Sequence, residues 1–127
     1  MAGLLAITLD CPDPRELAEF YRRLTGGETF SSNEDFVVLV GGGGRLDFQR
    51  VTNPRPSDWP DPQAVRRVHL DFVVDDLAAS EAQVLESGAV LSEHQPGGDR
   101  FRVFIDPAGH LFCLCSGEAA GLPFDQP

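Results

Sequence analysis

Few side chains in this sequence are placed to do chemistry, and the first of them is His69. It opens the run Val68-His69-Leu70-Asp71-Phe72-Val73-Val74, whose alternation reads as a β-strand. His69 and Asp71 then share one face with Val73, and Leu70, Phe72 and Val74 share the other. An imidazole and a carboxylate on one strand face can exchange a proton, hold a cation or hydrogen-bond a ligand. A structural hydrogen bond between strands is the plainer use of such a histidine. His94 and His110 stand at turn edges, where solvent-exposed imidazoles are ordinary. The three cysteines, Cys11, Cys113 and Cys115, are odd in number and form no CxxC pair, so neither a disulfide framework nor a zinc knuckle is indicated. On apolar segments such thiols read first as small buried groups. Gly41 to Gly44 have no following Lys-Ser/Thr and no helix behind them, so they read as a hairpin turn and not a phosphate cradle.

The elements that position these residues occur twice. Residues 6 to 51 read strand, helix, then short strands closed by a Gly-rich turn, and residues 69 to 115 repeat that order. An offset of 63 sets Ile7 on Leu70, Leu9 on Phe72, Cys11 on Val74 and Asp13 on Asp76 without a gap. An offset of 61 would superpose the Leu9-Asp10 and Leu70-Asp71 dipeptides and put Thr8 on His69, but it throws the two helix starts out of phase. The first offset is preferred.

Asp13, Pro14 and Glu16 make a helix start and Gly26-Gly27 a stop, predicting a helix over about residues 14 to 24 with Leu17, Phe20, Tyr21 and Leu24 as its apolar stripe. Asp75 or Asp76 opens the second helix, which ends near Ser87-Gly88 and turns Leu77, Val84 and Leu85 inward. In the first strand Ile7, Leu9 and Cys11 lie under the helix, leaving Ala6, Thr8 and Asp10 on the open face. Asp106-Pro107-Ala108-Gly109 is a tight turn between the last two strands. The expected fold is α+β: module one over about 4–51, a Pro-rich linker over 52–66, module two over about 67–116 and a tail over 117–127. Trp59 stands in the linker, where so large an aromatic covers apolar surface on its own chain or contacts a ligand or partner.

Composition narrows the partners. At 127 residues, 42% of them hydrophobic, the chain makes one ordinary domain. No stretch approaches the ~20 apolar residues needed to span a bilayer, and the start carries no basic region or cleavage site, so a soluble, cytoplasmic protein without membrane contact is expected. A net charge of -10 repels phosphate backbones and argues against nucleic acid. A small molecule or another protein is the expected partner. Unpaired sheet edges are liabilities, and a two-fold homodimer is the commonest way to cover them.

The paired βαβββ repeat, the Asp106-to-Gly109 turn and the histidine opening the second module resemble the vicinal oxygen chelate superfamily, which includes glyoxalase I, extradiol dioxygenases, fosfomycin-modifying enzymes and bleomycin-binding proteins. More narrowly, Leu9-Asp10-Cys11-Pro12-Asp13-Pro14, Phe48-Gln49-Arg50-Val51, Trp59-Pro60-Asp61-Pro62, His69-Leu70-Asp71 and Phe112-Cys113-Leu114-Cys115 look like small glyoxalase-like proteins common in actinobacteria. The resemblance implies two curved mixed sheets forming a cup with helices outside, often completed as a homodimer. It also implies a divalent metal (Zn, Ni, Mn or Fe) held by one ligand from each of four strands, commonly His, Glu, His and Glu. Carried onto this sequence, those positions fall on Ala6, on Asp47 or Gln49, on His69 and on Cys113. His69 matches, Gln49 or Asp47 is an altered ligand, Cys113 replaces a glutamate and Ala6 offers nothing. The implied ligand pocket comprises Thr8, Asp10, Asp47, Gln49, Trp59, His69, Asp71 and Cys113. Two functions follow: a divergent metal-dependent lyase, isomerase or dioxygenase, or a metal-free protein that sequesters a drug-like, cationic ligand drawn by the acidic surface.

Overall fold

A computed structural model describes residues 1, 3–52 and 68–117. Residues 53–67, which hold Trp59 and all but the first residue of the Pro-rich linker, and residues 118–127 of the tail lie outside the described residues. The chain divides into two compact units, Met1–Arg55 and Pro56–Pro127.

Unit one runs β1 (Ile7–Cys11), α1 (Pro14–Thr25), β2 (Glu28–Ser32), β3 (Phe36–Gly41) and β4 (Gly44–Arg50). Unit two runs β5 (Leu70–Val74), α2 (Leu77–Glu86), β6 (Val90–Leu91), β7 (Phe101–Ile105) and β8 (Leu111–Ser116). Their sheets have matching strand orders, β1-β4-β3-β2 and β5-β8-β7-β6. In each, the first strand pairs in parallel with the last, and the other neighbours are antiparallel. These are the two expected βαβββ modules.

The helix starts confirm the 63-residue offset. Asp13 caps α1 by accepting from the Glu16 N–H at 3.1 Å, and Asp76 caps α2 by accepting from the Ala79 N–H at 3.0 Å. Gly26, at φ 72°, closes α1 in the left-handed conformation that a side chain would resist. The apolar stripe of α1 buries Leu17, Phe20 and Tyr21, and Tyr21 stacks on Phe48 of β4 with ring centroids 5.8 Å apart. Leu9, Cys11, Val37 and Leu39 complete the buried layer under that helix. In module two α2 buries only Val84 fully, over a sheet face carrying the stacked pair Phe104 and Phe112. Leu85, expected inside, is exposed; Val84 occupies the sheet-facing position beside it.

The two β-turns before the closing strands use different means. At the β3–β4 turn Gly41 pairs with Gly44, and Gly42 and Gly43 bridge them at φ 67° and 100°. A Cβ on Gly42 would lie 2.8 Å from the Thr25 Cβ. At the β7–β8 turn the buried Asp106 carboxylate accepts from the N–H groups of Ala108 at 2.8 Å and His110 at 2.9 Å. No helix among the described residues is long and apolar enough to cross a membrane.

Candidate functional site

Alternation along β5 and β8 decides which side chains meet. Asp71 and Cys113 are register partners in the parallel β5–β8 pair, so they stand side by side on the face turned away from α2. His69, two residues before Asp71, joins them. Its Nε2 lies 3.3 Å from Asp71 Oδ1. One donor atom from each of His69, Asp71 and Cys113 falls within 4.8 Å of the others. The imidazole and carboxylate are about half exposed, whereas Cys113 is buried beside Val103 and Leu111.

Burial pushes the Cys113 thiol up to about 12, with the Asp71 charge, a hydrogen bond to Asp71 and the neighbouring Cys115 adding to the effect. Cys115 is raised too, by burial first and then by Asp71. Unaided, Cys113 is therefore a neutral hydrogen-bond donor to Asp71 and not a thiolate nucleophile.

The matching positions of module one are built differently. Thr8 and Asp47 are register partners in β1–β4, as Asp71 and Cys113 are in β5–β8. Asp47 is buried, and both its oxygens are taken: Arg45 Nε donates to Oδ1 at 2.8 Å and Arg45 Nη2 to Oδ2 at 3.0 Å. That bidentate bond raises the Arg45 guanidinium above its usual value. Gln49, two residues on, is exposed and pairs in register with exposed Asp10. Ala6 offers no donor atom.

The residues expected to line a pocket thus divide by module: Thr8, Asp10, Asp47 and Gln49 on the open face of one sheet, His69, Asp71 and Cys113 on that of the other. Asp47 and Gln49, inseparable by sequence, are separated by burial and by Arg45. The role of Arg45 escapes a reading by ligand position. Its signal is present nonetheless, since opposite charges two apart on a strand share a face. A depression of roughly 600 Å³ at the start of α1 is lined by Pro12, Asp13, Arg15, Glu16, Glu34 and Arg50, none of them an expected site residue.

A four-strand metal set does not fit these side chains. Ala6 lacks a donor, and the Asp47 carboxylate already has a cation, the Arg45 guanidinium.

Residues 6–115 match the family model of a glyoxalase-like domain. The chain belongs to that family. It is thereby a member of the vicinal oxygen chelate superfamily, as its paired modules already indicate. Similar solved structures include a glyoxalase/bleomycin resistance protein/dioxygenase family enzyme from Burkholderia phytofirmans, 16% identical over 91% of this chain and 98% of that one, TM-score 0.70. A fosfomycin resistance protein from Listeria monocytogenes is 17% identical over 92% and 94%, TM-score 0.71. A mutant of that protein, 19% identical over 91% and 90% with TM-score 0.68, is complexed with Mn(II) and a dihydroxypropylphosphonic acid. Lactoylglutathione lyase from Agrobacterium tumefaciens is 19% identical over 96% and 98%, TM-score 0.64. No curated protein sequence matches. At such identities the likeness carries the fold and not the activity.

Proposed function

We propose that this glyoxalase-like protein binds a small molecule and that its ligand-facing chemistry is concentrated in module two, on the strip formed by His69, Asp71 and Cys113. The observation that carries this reading is the Arg45–Asp47 ion pair, together with Ala6 opposite His69 in the repeat. Ala6 offers no ligand and Asp47 is held by Arg45, so exposed Gln49 is the one donor left among the module-one positions of the family's metal set, and it is no carboxylate to shuttle a proton in the manner of glyoxalase I. A binding role is left. The net charge of -10 steers cations toward the protein, and the half-exposed Asp71 carboxylate offers one an ion pair at a site flanked by apolar Val103 and Leu111. The ligand class is therefore a basic compound with an apolar body.

A thermal-shift screen with basic antibiotics, run in chelator, tests this. At 100 times Kd a ligand of the native state adds about 2.7 kcal/mol, a rise on the order of 10 °C for a chain of this size. No saturable shift with any basic compound defeats the proposal.

The second reading is a divergent metal-dependent lyase, isomerase or dioxygenase, supported by the convergence of His69, Asp71 and Cys113. Turnover of a hemithioacetal or catechol that vanishes with chelator and returns with a divalent metal would establish it in place of the first.

A cytoplasmic homodimer belongs to the same proposal. Edge strand β2 is exposed along all five residues, and Phe30, at an irregularity in its pairing with β3, is 82% exposed. Large aromatics so placed are usual interface anchors. Phe30→Asp should convert a dimer to a monomer in light scattering; a wild-type monomer at high concentration rejects the dimer.

A further inference from the structure

The depression at the start of α1 shares no residue with the strip of module two or with the open face of module one. We propose that it is a separate binding site, for a small zwitterion of the class of a short peptide with free ends.

Chain geometry brings its walls together. Strand β1 runs parallel to β4 and pairs Cys11 with Arg50, so Arg50 ends its strand where Pro12, Asp13 and the first turn of α1 begin. The turn from β2 to β3 adds Glu34. That turn is held from within: Asn33 Oδ1 accepts from the N–H groups of Asp35 at 2.8 Å and Phe36 at 2.9 Å, and the Arg50 N–H donates to the Asp35 carbonyl at 2.9 Å. Arg15 Nε donates to Ser32 Oγ at 3.2 Å, which ties α1 to β2. The walls of a roughly 600 Å³ depression are thus set before anything binds, and its size suits a small molecule.

Charge selects the ligand. Two guanidiniums, Arg15 and Arg50, and three carboxylates, Asp13, Glu16 and Glu34, line the depression, and Pro12 is the one apolar side chain among its described residues. None of these five charged groups forms an ion pair with another. Asp13 is spent on capping the Glu16 N–H, which leaves Glu16 and Glu34 to balance Arg15 and Arg50. Opposite charges in equal number, held apart, favour a ligand that carries both signs and is neutral overall. A wholly acidic or wholly basic compound would meet like charge. A carboxylate suits the guanidiniums and an ammonium the glutamates. An extended tripeptide, about 10 Å long, carries one of each at its ends. The helix end itself is not the receptor, because Pro14 has no N–H and Glu16 gives its own to Asp13.

The repeat shows that the fold does not require these charges. The 63-residue offset sets Ala78 on Arg15 and Ala79 on Glu16, and strand register sets Ser116 on Arg50.

This site goes beyond the module-two reading and stands without it. Full-length, isotope-labelled protein is titrated with triglycine and followed by amide NMR. Shifts should saturate and cluster on the amides of Asp13, Arg15, Glu16, Glu34 and Arg50, with a Kd of about 1 mM, the strength that a few exposed charge pairs supply. Acetylating the amine of triglycine, amidating its carboxylate or adding about 0.5 M salt should each weaken binding about threefold or more. Arg15→Gln and Arg50→Gln should do the same. Arg22→Gln removes an equal charge from the last turn of α1 and should leave binding unchanged. No saturable shift up to about 10 mM triglycine overturns the proposal, as do shifts centred elsewhere or reproduced undiminished by the blocked peptides. A loss in Arg22→Gln as large as in Arg50→Gln overturns it too. Triglycine binding with no response to basic compounds would leave this site standing and remove only the ligand class assigned to module two.

Discussion

The two modules share topology, the register of their closing strands and aspartate caps at their helix starts, yet they are filled differently. Module one packs an aromatic helix: Phe20 and Tyr21 meet edge-on at 4.9 Å, and Tyr21 lies against Phe48. It also closes its open face with an internal ion pair. Module two has the thinner helix, with Val84 its one fully buried side chain, and spends its open face on His69, Asp71 and Cys113. Duplication lets a chain keep one copy as a scaffold while the other carries groups that are costly to a core. Here the polar trio, paired through Asp71, sits in the copy whose helix packs less.

Removing Tyr21 should break that division most sharply. Tyr21→Ala empties a fully buried aromatic site and should cost about 3–5 kcal/mol, against about 2 kcal/mol for Val84→Ala, both read by urea unfolding. Equal losses would mean that module one is not the better-packed scaffold.

The turns sharpen the contrast at an intermediate scale. Gly42→Ala combines a positive φ with a contact on Thr25 and should cost about 2 kcal/mol, whereas Gly43→Ala, with open space around its Cβ, should cost about 1 kcal/mol. In module two the same job falls to the Asp106 carboxylate. Asp106→Ala forfeits two bonds to backbone N–H groups from a buried anion and should cost roughly 2–3 kcal/mol by the same measurement. A silent Asp106→Ala would show that Gly109, at φ 95°, forms that turn unaided.

The smallest effect is on pH. The Cys113 thiol, raised from 9.0 to about 12, is held protonated in the fold, while in the unfolded chain it ionises near its ordinary value. Its contribution to stability is thus intact below pH 9 and fades as pH rises toward 12. Metal-free wild type should lose stability more steeply over that window than Cys113→Ala. Parallel pH profiles would remove the thiol from the balance.

Much of the fold is legible because it rests on local rules. Asp13 and Asp76 announce both helix starts, and alternation sets the face of every residue from Ile7 to Cys11 and from Leu70 to Val74. The site is less legible, since ligand sets are specified across strands. Carrying the family positions over joins His69 to Gln49 and Cys113, whereas strand register joins it to Asp71 and Cys113. Burial separates Asp47 from Gln49, and no alternation pattern can do that. Leu85 misleads for a related reason: a helix with few large apolar groups leaves little in its pattern to mark which edge faces the sheet.

The parallel pairing of first strand with last has a consequence for birth order. Strand β1 finds its partner only when β4, ending at Arg50, has left the ribosome, and β5 must wait for β8, which ends at Ser116. Because β8 is an inner strand of its sheet, module two stays unclosed until Ser116 has been made, whereas module one has all its strands once Arg50 has. The copy that bears His69, Asp71 and Cys113 is therefore the later of the two to gain its full set of strands.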